Sequence, residues 1–159
     1  MRKLATAMAL ILATGTICCS AQAAEVFTIK QDKPELTDID LGAKGQSHGD
    51  VLTFEATFTA DNGKKGVISG MVMTVDVPSG AHDPYHDRIE NIVLEFGGQD
   101  TLVVLGKTKY PDGKGELNPD FPVVRAITGG TGRYIGSSGQ MSTIRRSDGT
   151  YEHVVTLVR

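Results

Sequence analysis

Hydrophobic and polar residues alternate along most of the chain with a period of two, which predicts β-strands rather than helices. The clearest case is the segment 51–59, in which Leu52, Phe54 and Phe58 alternate with polar positions. No segment is a convincing long helix. The segments with strand character are 25–31, 51–59, 67–77, 88–96, 101–107, 123–128, 140–146 and 151–158. About eight strands at such short spacing predict an antiparallel sandwich or barrel.

Turn residues separate these segments. Asn62-Gly63 is a strong hairpin signal between two of the strands. The segment 147–150, Ser-Asp-Gly-Thr, predicts a second tight hairpin turn near the end of the chain. The polar segment 32–50 is predicted to be a loop with a short strand near Leu41. Consecutive strands are therefore expected to pair as hairpins.

The segment 125–140 is unusual because it holds five glycines between two strands. Such a cluster predicts either sharply bent backbone or backbone that packs close to a neighbour. A dinucleotide site is excluded, because the spacing of Gly130, Gly132 and Gly136 is one residue too long for that fingerprint. The chain after Gly136 is also too short and too strand-like for the βαβ unit that such a site needs. No Gly-Lys-Ser/Thr is present, which excludes a P-loop.

The same stretch resembles the signature of the allene oxide cyclase and dirigent barrels, and the rest of the chain fits their strand-rich layout. The matching residues are Ala126, Ile127, Thr128, Gly129, Gly130, Thr131, Gly132, Tyr134, Gly136, Gly139 and Gln140. The resemblance implies an all-β fold, an eight-stranded antiparallel β-barrel. It also implies assembly as a homotrimer through the outer barrel faces. Barrels of this size hold one small apolar ligand in the lumen.

Residues 1–24 have the pattern of a signal peptide. Arg2 and Lys3 are followed by an apolar stretch that is too short to span a membrane comfortably, and then by Ala21-Gln22-Ala23. We therefore expect a periplasmic or secreted protein whose residues 25–159 form one barrel domain. Both cysteines, Cys18 and Cys19, lie in the signal segment, so no disulfide is expected in the domain.

Composition limits the partners. The chain has 16 Lys and Arg against 19 Asp and Glu, and removal of the signal peptide makes it more acidic. This balance argues against nucleic acid and anionic membranes as partners. No second apolar run is long enough to anchor the domain in a bilayer. We find no sequence pattern for a cofactor, nucleotide or metal, and expect an apolar small molecule as the partner.

Three residues are candidates for catalysis. Glu55 lies among apolar residues and threonines, and it would serve as an acid or base if it pointed into the lumen. The alternative is an outward carboxylate on a wet face. Arg125 interrupts an apolar strand and would need a partner if buried. Tyr134 is the aromatic residue of the glycine signature.

Other candidates would bind the ligand. In plant allene oxide cyclases the first strand offers a carboxylate and, two residues later, an amide, and our alignment puts Thr28 and Lys30 at those positions. Thr28 cannot act as a carboxylate. Ile135 stands where dirigents often carry an arginine and cyclases an acid. These departures suggest a retained scaffold with changed chemistry.

The loop 78–87 carries the densest polar cluster. It contains His82, Tyr85 and His86, and Tyr85 is a further ligand-binding candidate at the barrel mouth. His82 and His86 would share one face of a helix, but the prolines and glycine indicate a loop. A solvated loop is the expectation. His153 shares a face with Tyr151 and Val155 and is expected to be a core or interface histidine.

Two functions remain open. One is a cyclase or isomerase-like enzyme that folds a reactive apolar molecule by positioning and desolvation. The other is a non-catalytic, dirigent-like or ligand-binding protein. An enzyme needs at least one titratable group aimed into the lumen, whereas a binding protein does not.

Overall fold

A computed structural model describes residues 24–78, 84–111 and 115–158. It has nine strands and one 3-10 turn at Gly132–Tyr134, and no α-helix within these ranges. The strands are β1 (Glu25–Gln31), β2 (Glu35–Ile39), β3 (Val51–Ala60), β4 (Lys65–Asp76), β5 (Tyr85–Glu95), β6 (Thr101–Pro111), β7 (Val123–Thr131), β8 (Ser138–Arg145) and β9 (Tyr151–Val158). The all-β prediction is confirmed.

The strands form one antiparallel sheet that closes on itself. Their order is β1-β9-β8-β7-β6-β5-β4-β3-β2, and β1 also pairs with β3. The end of β1 pairs with the second half of β3, and β2 pairs with its first half. The two therefore follow each other along one edge of β3, interrupted around Pro34, which has no N–H to donate. The result is the predicted closed eight-stranded antiparallel β-barrel.

Alternation along the strands decides which side chains enter the lumen. In β5, buried residues alternate with exposed or half-buried ones, so His86, Arg88, Glu90, Ile92 and Leu94 all face inward. Period-two alternation is the geometry of any pleated strand, and closure of the sheet makes one face the core. The same rule holds in β3, where the predicted apolar face lines the interior.

One end of the lumen is filled by aromatic rings. Phe96 packs edge-on against Phe58, with ring centres 5.2 Å apart, and against Phe27 at 6.0 Å. Tyr134 from the 3-10 turn lies 4.9 Å from Phe96 and is buried. Edge and tilted contacts of this kind are the favoured geometry for aromatic pairs. We call this region the closed end.

The glycine-rich stretch builds the closed end. A Cβ on Gly130 would collide with Tyr134 and with the carbonyl oxygen of Thr101, and one on Gly139 would collide with the backbone of Thr156. Gly132 and Gly139 also have positive φ, of 57° and 148°. Both predicted reasons for the cluster, bent backbone and close packing, therefore apply.

Candidate functional site

The other half of the lumen contains polar side chains from strands far apart in the sequence. Glu90 (β5), Tyr110 (β6), Arg125 (β7) and His153 (β9) all face inward and are buried. They line one cavity together with apolar side chains. We call these four residues the lumen cluster.

Glu90 and Arg125 form an ion pair between Oε2 and Nε, with both side chains at most 2% exposed. Their strands are not neighbours, because β6 runs between them. Gly106 of β6 is the direct partner of Glu90, and a Cβ there would lie 2.8 Å from Cγ of Arg125. The missing side chain at Gly106 therefore gives Arg125 the space to reach across β6 to Glu90.

Burial and the charges of Glu90 and Arg125 shift the pKa values in the lumen cluster. Burial opposes the charge of Arg125, but the attraction of Glu90 outweighs it, and the pKa of Arg125 is raised. Burial, and then the negative charge of Glu90, raise the pKa of Tyr110. Tyr110 therefore stays protonated and acts as a donor. The guanidinium carbon of Arg88 lies 5.0 Å from the centre of its ring.

His153 is held by hydrogen bonds at both ring nitrogens. Nδ1 lies 2.9 Å from Oγ1 of Thr143, and Nε2 lies 2.8 Å from Oε1 of Gln31. Burial and then the positive charge of Arg125 lower the pKa of His153 to about 3. The imidazole is therefore neutral near pH 7, with Nε2–H donating to the Gln31 carbonyl oxygen and Nδ1 accepting from Thr143.

The walls and mouth of the cavity are apolar. Leu52, Phe54, Ile68, Val72 and Ile92 line the walls. Leu117, from the segment between β6 and β7, is buried against Leu52, Val72 and Tyr110 at the mouth. This leaves about 40 Å³ of space inside. An engineered cavity that holds benzene measures about 150 Å³, so a larger ligand requires Leu117 to move.

Polar contacts hold the segment of Leu117 against the barrel. Its neighbour Glu116 accepts a hydrogen bond from Nη2 of Arg145 at 2.7 Å, and the Tyr151 hydroxyl lies 3.4 Å from the same carboxylate. Asp120 N–H donates to the Arg145 carbonyl oxygen at 2.8 Å. Beside this segment β2 pairs only with β3, so the mouth has a side opening lined by Leu36 and Gly115.

The structure places only one of the six predicted site residues in the lining of this cavity. Arg125 is there, and its predicted need for a partner is met by Glu90. Glu55 is exposed on the outer face of β3, where it accepts a hydrogen bond from Ser69 at 2.9 Å. Of the two orientations left open for Glu55, the outward one is observed, so the condition for its role as an acid or base in the lumen is not met. Tyr134 is buried at the closed end and does not line the cavity.

The predicted ligand-binding residues also lie elsewhere. Thr28 and Lys30 alternate with the inward residues Ile29 and Gln31, so both face outward. A molecule bound in the lumen would therefore not meet either side chain. Tyr85 is half-buried and precedes the inward His86, so it faces outward too.

The two histidines of the predicted loop 78–87 have different outcomes. His82 lies outside the described residues. His86 is buried on the inner face of β5 rather than solvated. Among the described residues, no group of three or more His, Cys, Asp or Glu side chains is arranged as a metal site. No helix in the described ranges is long and apolar enough to span a membrane.

Sequence reasoning missed Glu90, Tyr110 and Gln31. For Glu90 a signal existed, since it alternates with the apolar residues Ile92 and Leu94 within the predicted strand 88–96. A lone carboxylate on such a face is a candidate for burial. For Tyr110 and Gln31 no comparable signal exists, because each stands at the end of its strand.

No protein-family model matches the chain, and no curated protein matches its sequence. Several solved structures share the fold. A pyocyanin demethylase has 20% identity and a TM-score of 0.61 over 86% of this chain and 100% of its own. A nonspecific heme-binding cyclase that catalyses a cycloaddition in neoabyssomicin biosynthesis has 20% identity and a TM-score of 0.62, over 86% of this chain and 64% of its own.

A Diels-Alderase from Streptomyces koyangensis gives 19% identity and a TM-score of 0.62 over the same 86% of this chain and 64% of its own. The chain thus spans about two thirds of the length of the two cyclisation enzymes. At this identity the likeness establishes a shared β-barrel fold. Membership of the allene oxide cyclase family stays a prediction.

Proposed function

We propose that this protein is a cyclase or isomerase-like enzyme that binds an apolar small molecule in the lumen, beside Glu90, Arg125 and Tyr110. The observation that carries the proposal is the Glu90–Arg125 pair, buried in a cavity whose walls are formed largely by apolar side chains. Burying two charges is expensive, and apolar residues of similar volume would often stabilise a barrel at least as well. Titratable groups retained in such a cavity are candidates for chemistry.

The three residues have complementary roles in the proposed reaction. The Glu90 carboxylate is the group that takes a proton from the bound molecule and returns it at another atom, so no atom is gained or lost. Arg125 and Tyr110 are donors for an oxygen that becomes more negative on the way. Walls of Leu52 and Phe54 exclude water and hold the chain of the ligand in a folded shape. Two enzymes with this fold are named for a cycloaddition, which needs a folded apolar substrate but no proton transfer, so their names support the positioning role of the walls and not the proton step.

The test is turnover of a panel of apolar polyenes and unsaturated epoxides, read by chromatography and mass spectrometry as a product of unchanged mass. The double variant Glu90→Gln with Arg125→Gln keeps the volume and removes both charges. We expect it to lose at least about 100-fold in rate, the usual size of acid–base catalysis. The matched control is Glu55→Gln, an identical change on the outer face, which we expect to keep full activity.

Full activity in the double variant would contradict the role of the lumen cluster. The second candidate function is non-catalytic binding, as in a dirigent-like or carrier protein. The position of Leu117 over the cavity favours it, because a ligand held behind this side chain would leave slowly. Tight binding with quantitative recovery of unchanged ligand from every member of the panel would select this alternative.

We further propose export to the periplasm or the medium, and assembly as a homotrimer. Export is supported by the signal pattern, and β1 begins at Glu25, directly after the predicted cleavage site. Intact-mass measurement should give a chain that starts near residue 24 or 25. A retained N-terminus would contradict export.

Trimer formation is supported by exposed apolar side chains on the outer faces of neighbouring strands, where Met73 pairs with Ile89 in register. The exposed residues are Met71, Met73, Ile89, Val93, Leu105 and Val124. Light scattering at micromolar concentration should give three times the mass of the mature chain. A strictly monomeric particle would contradict assembly.

A further inference from the structure

One donor of Arg125 points to the chemical class of the ligand. Nε of Arg125 forms the ion pair with Oε2 of Glu90, and Nη1 is a further buried donor; like Oε1 of Glu90, it has no hydrogen-bond partner among the described residues. The guanidinium lines the cavity, with its side chain only 2% exposed. A buried donor without an acceptor costs free energy, so an oxygen supplied by a ligand at this position would stabilise the site.

The charges around Nη1 indicate whether the oxygen of the ligand is neutral or anionic. The four titratable side chains of the lumen cluster line the cavity around this position, and their charges sum to zero near pH 7. Arg88 also faces inward, beside the ring of Tyr110, but it does not line this cavity. Arg125 is offset by Glu90. Tyr110 stays protonated and His153 stays neutral, for the reasons given above. An anionic head would be repelled by Glu90 at close range, whereas a neutral carbonyl oxygen would not.

The rest of the cavity selects the body of the molecule. Leu52, Phe54, Ile68, Val72 and Ile92 offer no hydrogen-bonding side chain. The lining residues Gln31 and Thr143 already bond to His153, so an apolar body suits the part of the ligand beyond the oxygen. Its volume must come from displacement of Leu117, because the free space is only about 40 Å³. Tyr110 lines the same cavity and interacts with both Arg125 and Glu90.

We propose that the lumen takes a neutral apolar carbonyl compound, a ketone or enone, whose oxygen accepts a hydrogen bond from Nη1 of Arg125. This inference rests on the proposed function in one respect, since it uses the same lumen as the binding site. It goes further by naming the recognised group. Polyenes and epoxides without a carbonyl are then poorer ligands than their enone counterparts.

The experiment compares three probes of one shape, acetylnaphthalene, ethylnaphthalene and naphthoate, by calorimetric titration. They are a ketone, a hydrocarbon and a carboxylate. Each is titrated into the wild-type protein and into Leu117→Ala, which makes room at the mouth. We expect the ketone to bind at least about ten-fold more tightly than the hydrocarbon, the scale of one hydrogen bond to a charged donor. We expect naphthoate to bind more weakly than the ketone.

Infrared spectroscopy gives a second readout. The carbonyl stretch of bound acetylnaphthalene should move to lower frequency than in an apolar solvent, because the oxygen accepts a hydrogen bond. In the double variant Glu90→Gln with Arg125→Gln the shift should shrink and the preference for the ketone should disappear. The ligand series decides the question in the wild-type and Leu117→Ala proteins even if that double variant does not fold.

The outcomes separate this inference from the proposed function. Equal affinity for ketone and hydrocarbon would overturn the carbonyl preference and leave binding in the lumen intact. Tighter binding of naphthoate would show that the site prefers an anion, which also overturns it. If no probe binds to either protein, both the inference and the proposed binding function are wrong.

Discussion

The two ends of the same lumen differ in what fills them. At the closed end Phe27, Phe58, Phe96 and Tyr134 form a continuous set of aromatic contacts. At the mouth end the same inner faces carry the lumen cluster, with an ion pair and a hydrogen-bonded histidine. Strand β5 shows the change directly, since Leu94 and Ile92 are followed on the same face by Glu90.

The closed end contributes mainly to the stability of the fold, whereas the mouth end carries the groups that can take part in chemistry. The closed end buries apolar area, and burial of that kind is favourable whatever the fine orientation of the rings. The mouth end buries charges, which stabilise little or nothing unless each finds its partner. We therefore expect substitutions at the closed end to change stability alone, and substitutions at the mouth end to change stability, pH dependence and ligand binding together.

The largest effect is expected from breaking the ion pair on one side only. Arg125→Gln leaves Glu90 buried without its counter-charge, and we expect the free energy of unfolding to fall by about 3–5 kcal/mol. The double variant with Glu90→Gln should recover most of that loss, because neither charge remains. Urea denaturation measures all three proteins. A loss under about 1 kcal/mol in the single variant would show that the pair is not buried as described.

At the closed end Phe96→Ala should cost about 3–5 kcal/mol as well, through a cavity in the aromatic cluster. Phe96→Leu, which refills most of the space, should cost clearly less. Neither change should alter the affinity of the lumen for acetylnaphthalene, measured by titration below the unfolding temperature. An affinity change beyond about three-fold would mean that the two ends are coupled, against the comparison drawn above.

His153 should make stability depend on pH. Its pKa is about 3 in the folded protein against 6.5 when unperturbed, so the unfolded chain binds the proton more readily. The stabilisation is complete above the unfolded-state pKa and is lost as pH falls from there toward 3. At about pH 4.5 the loss should reach about 3 kcal/mol.

The measurement is the free energy of unfolding of wild type and His153→Gln between pH 7 and about pH 4.5. Carboxylates such as Asp50 and Asp100, whose pKa values are lowered by backbone hydrogen bonds, destabilise both proteins alike in acid. The difference between the two curves therefore isolates His153. Parallel curves would show that the imidazole does not stay neutral in the fold.

Gly106 tests how the ion pair is accommodated. Gly106→Ala would put a methyl group 2.8 Å from Cγ of Arg125, so the side chain must shift away from Glu90. We expect a cost of about 1–3 kcal/mol, the range for overpacking. The control is Gly129→Ala, a glycine of β7 whose added Cβ would meet nothing within 4 Å. Equal effects of the two substitutions would remove the special role of Gly106.

The smallest effect is expected at Glu55. Its carboxylate is exposed and bonded only to Ser69 among the described contacts, so Glu55→Gln should change stability by less than about 0.5 kcal/mol. Affinity for acetylnaphthalene should be unchanged. A loss of binding or turnover in this variant would show that Glu55 has a functional role on the outer face.

Local sequence patterns were enough to predict the positions of most strands and of two turns between them. Alternation in the segment 51–59 and the Asn62-Gly63 turn led to β3, β4 and their hairpin, in which Gly63 has φ of 80°. The glycine-rich stretch was recognised as a place of bent or closely packed backbone, which it is. These features are local, since they depend on residues a few positions apart.

Which residues form the candidate site depends on the tertiary structure and could not be predicted from local patterns. The alternation of polar and apolar residues predicts that Glu55 and Glu90 each share a face with the residues two positions away. It does not predict which face of the strand lines the lumen. Glu90 meets Arg125 through the closure of the barrel and the gap at Gly106, on strands that are not adjacent. Contacts between distant segments depend on register and closure of the whole sheet, and no local pattern encodes them.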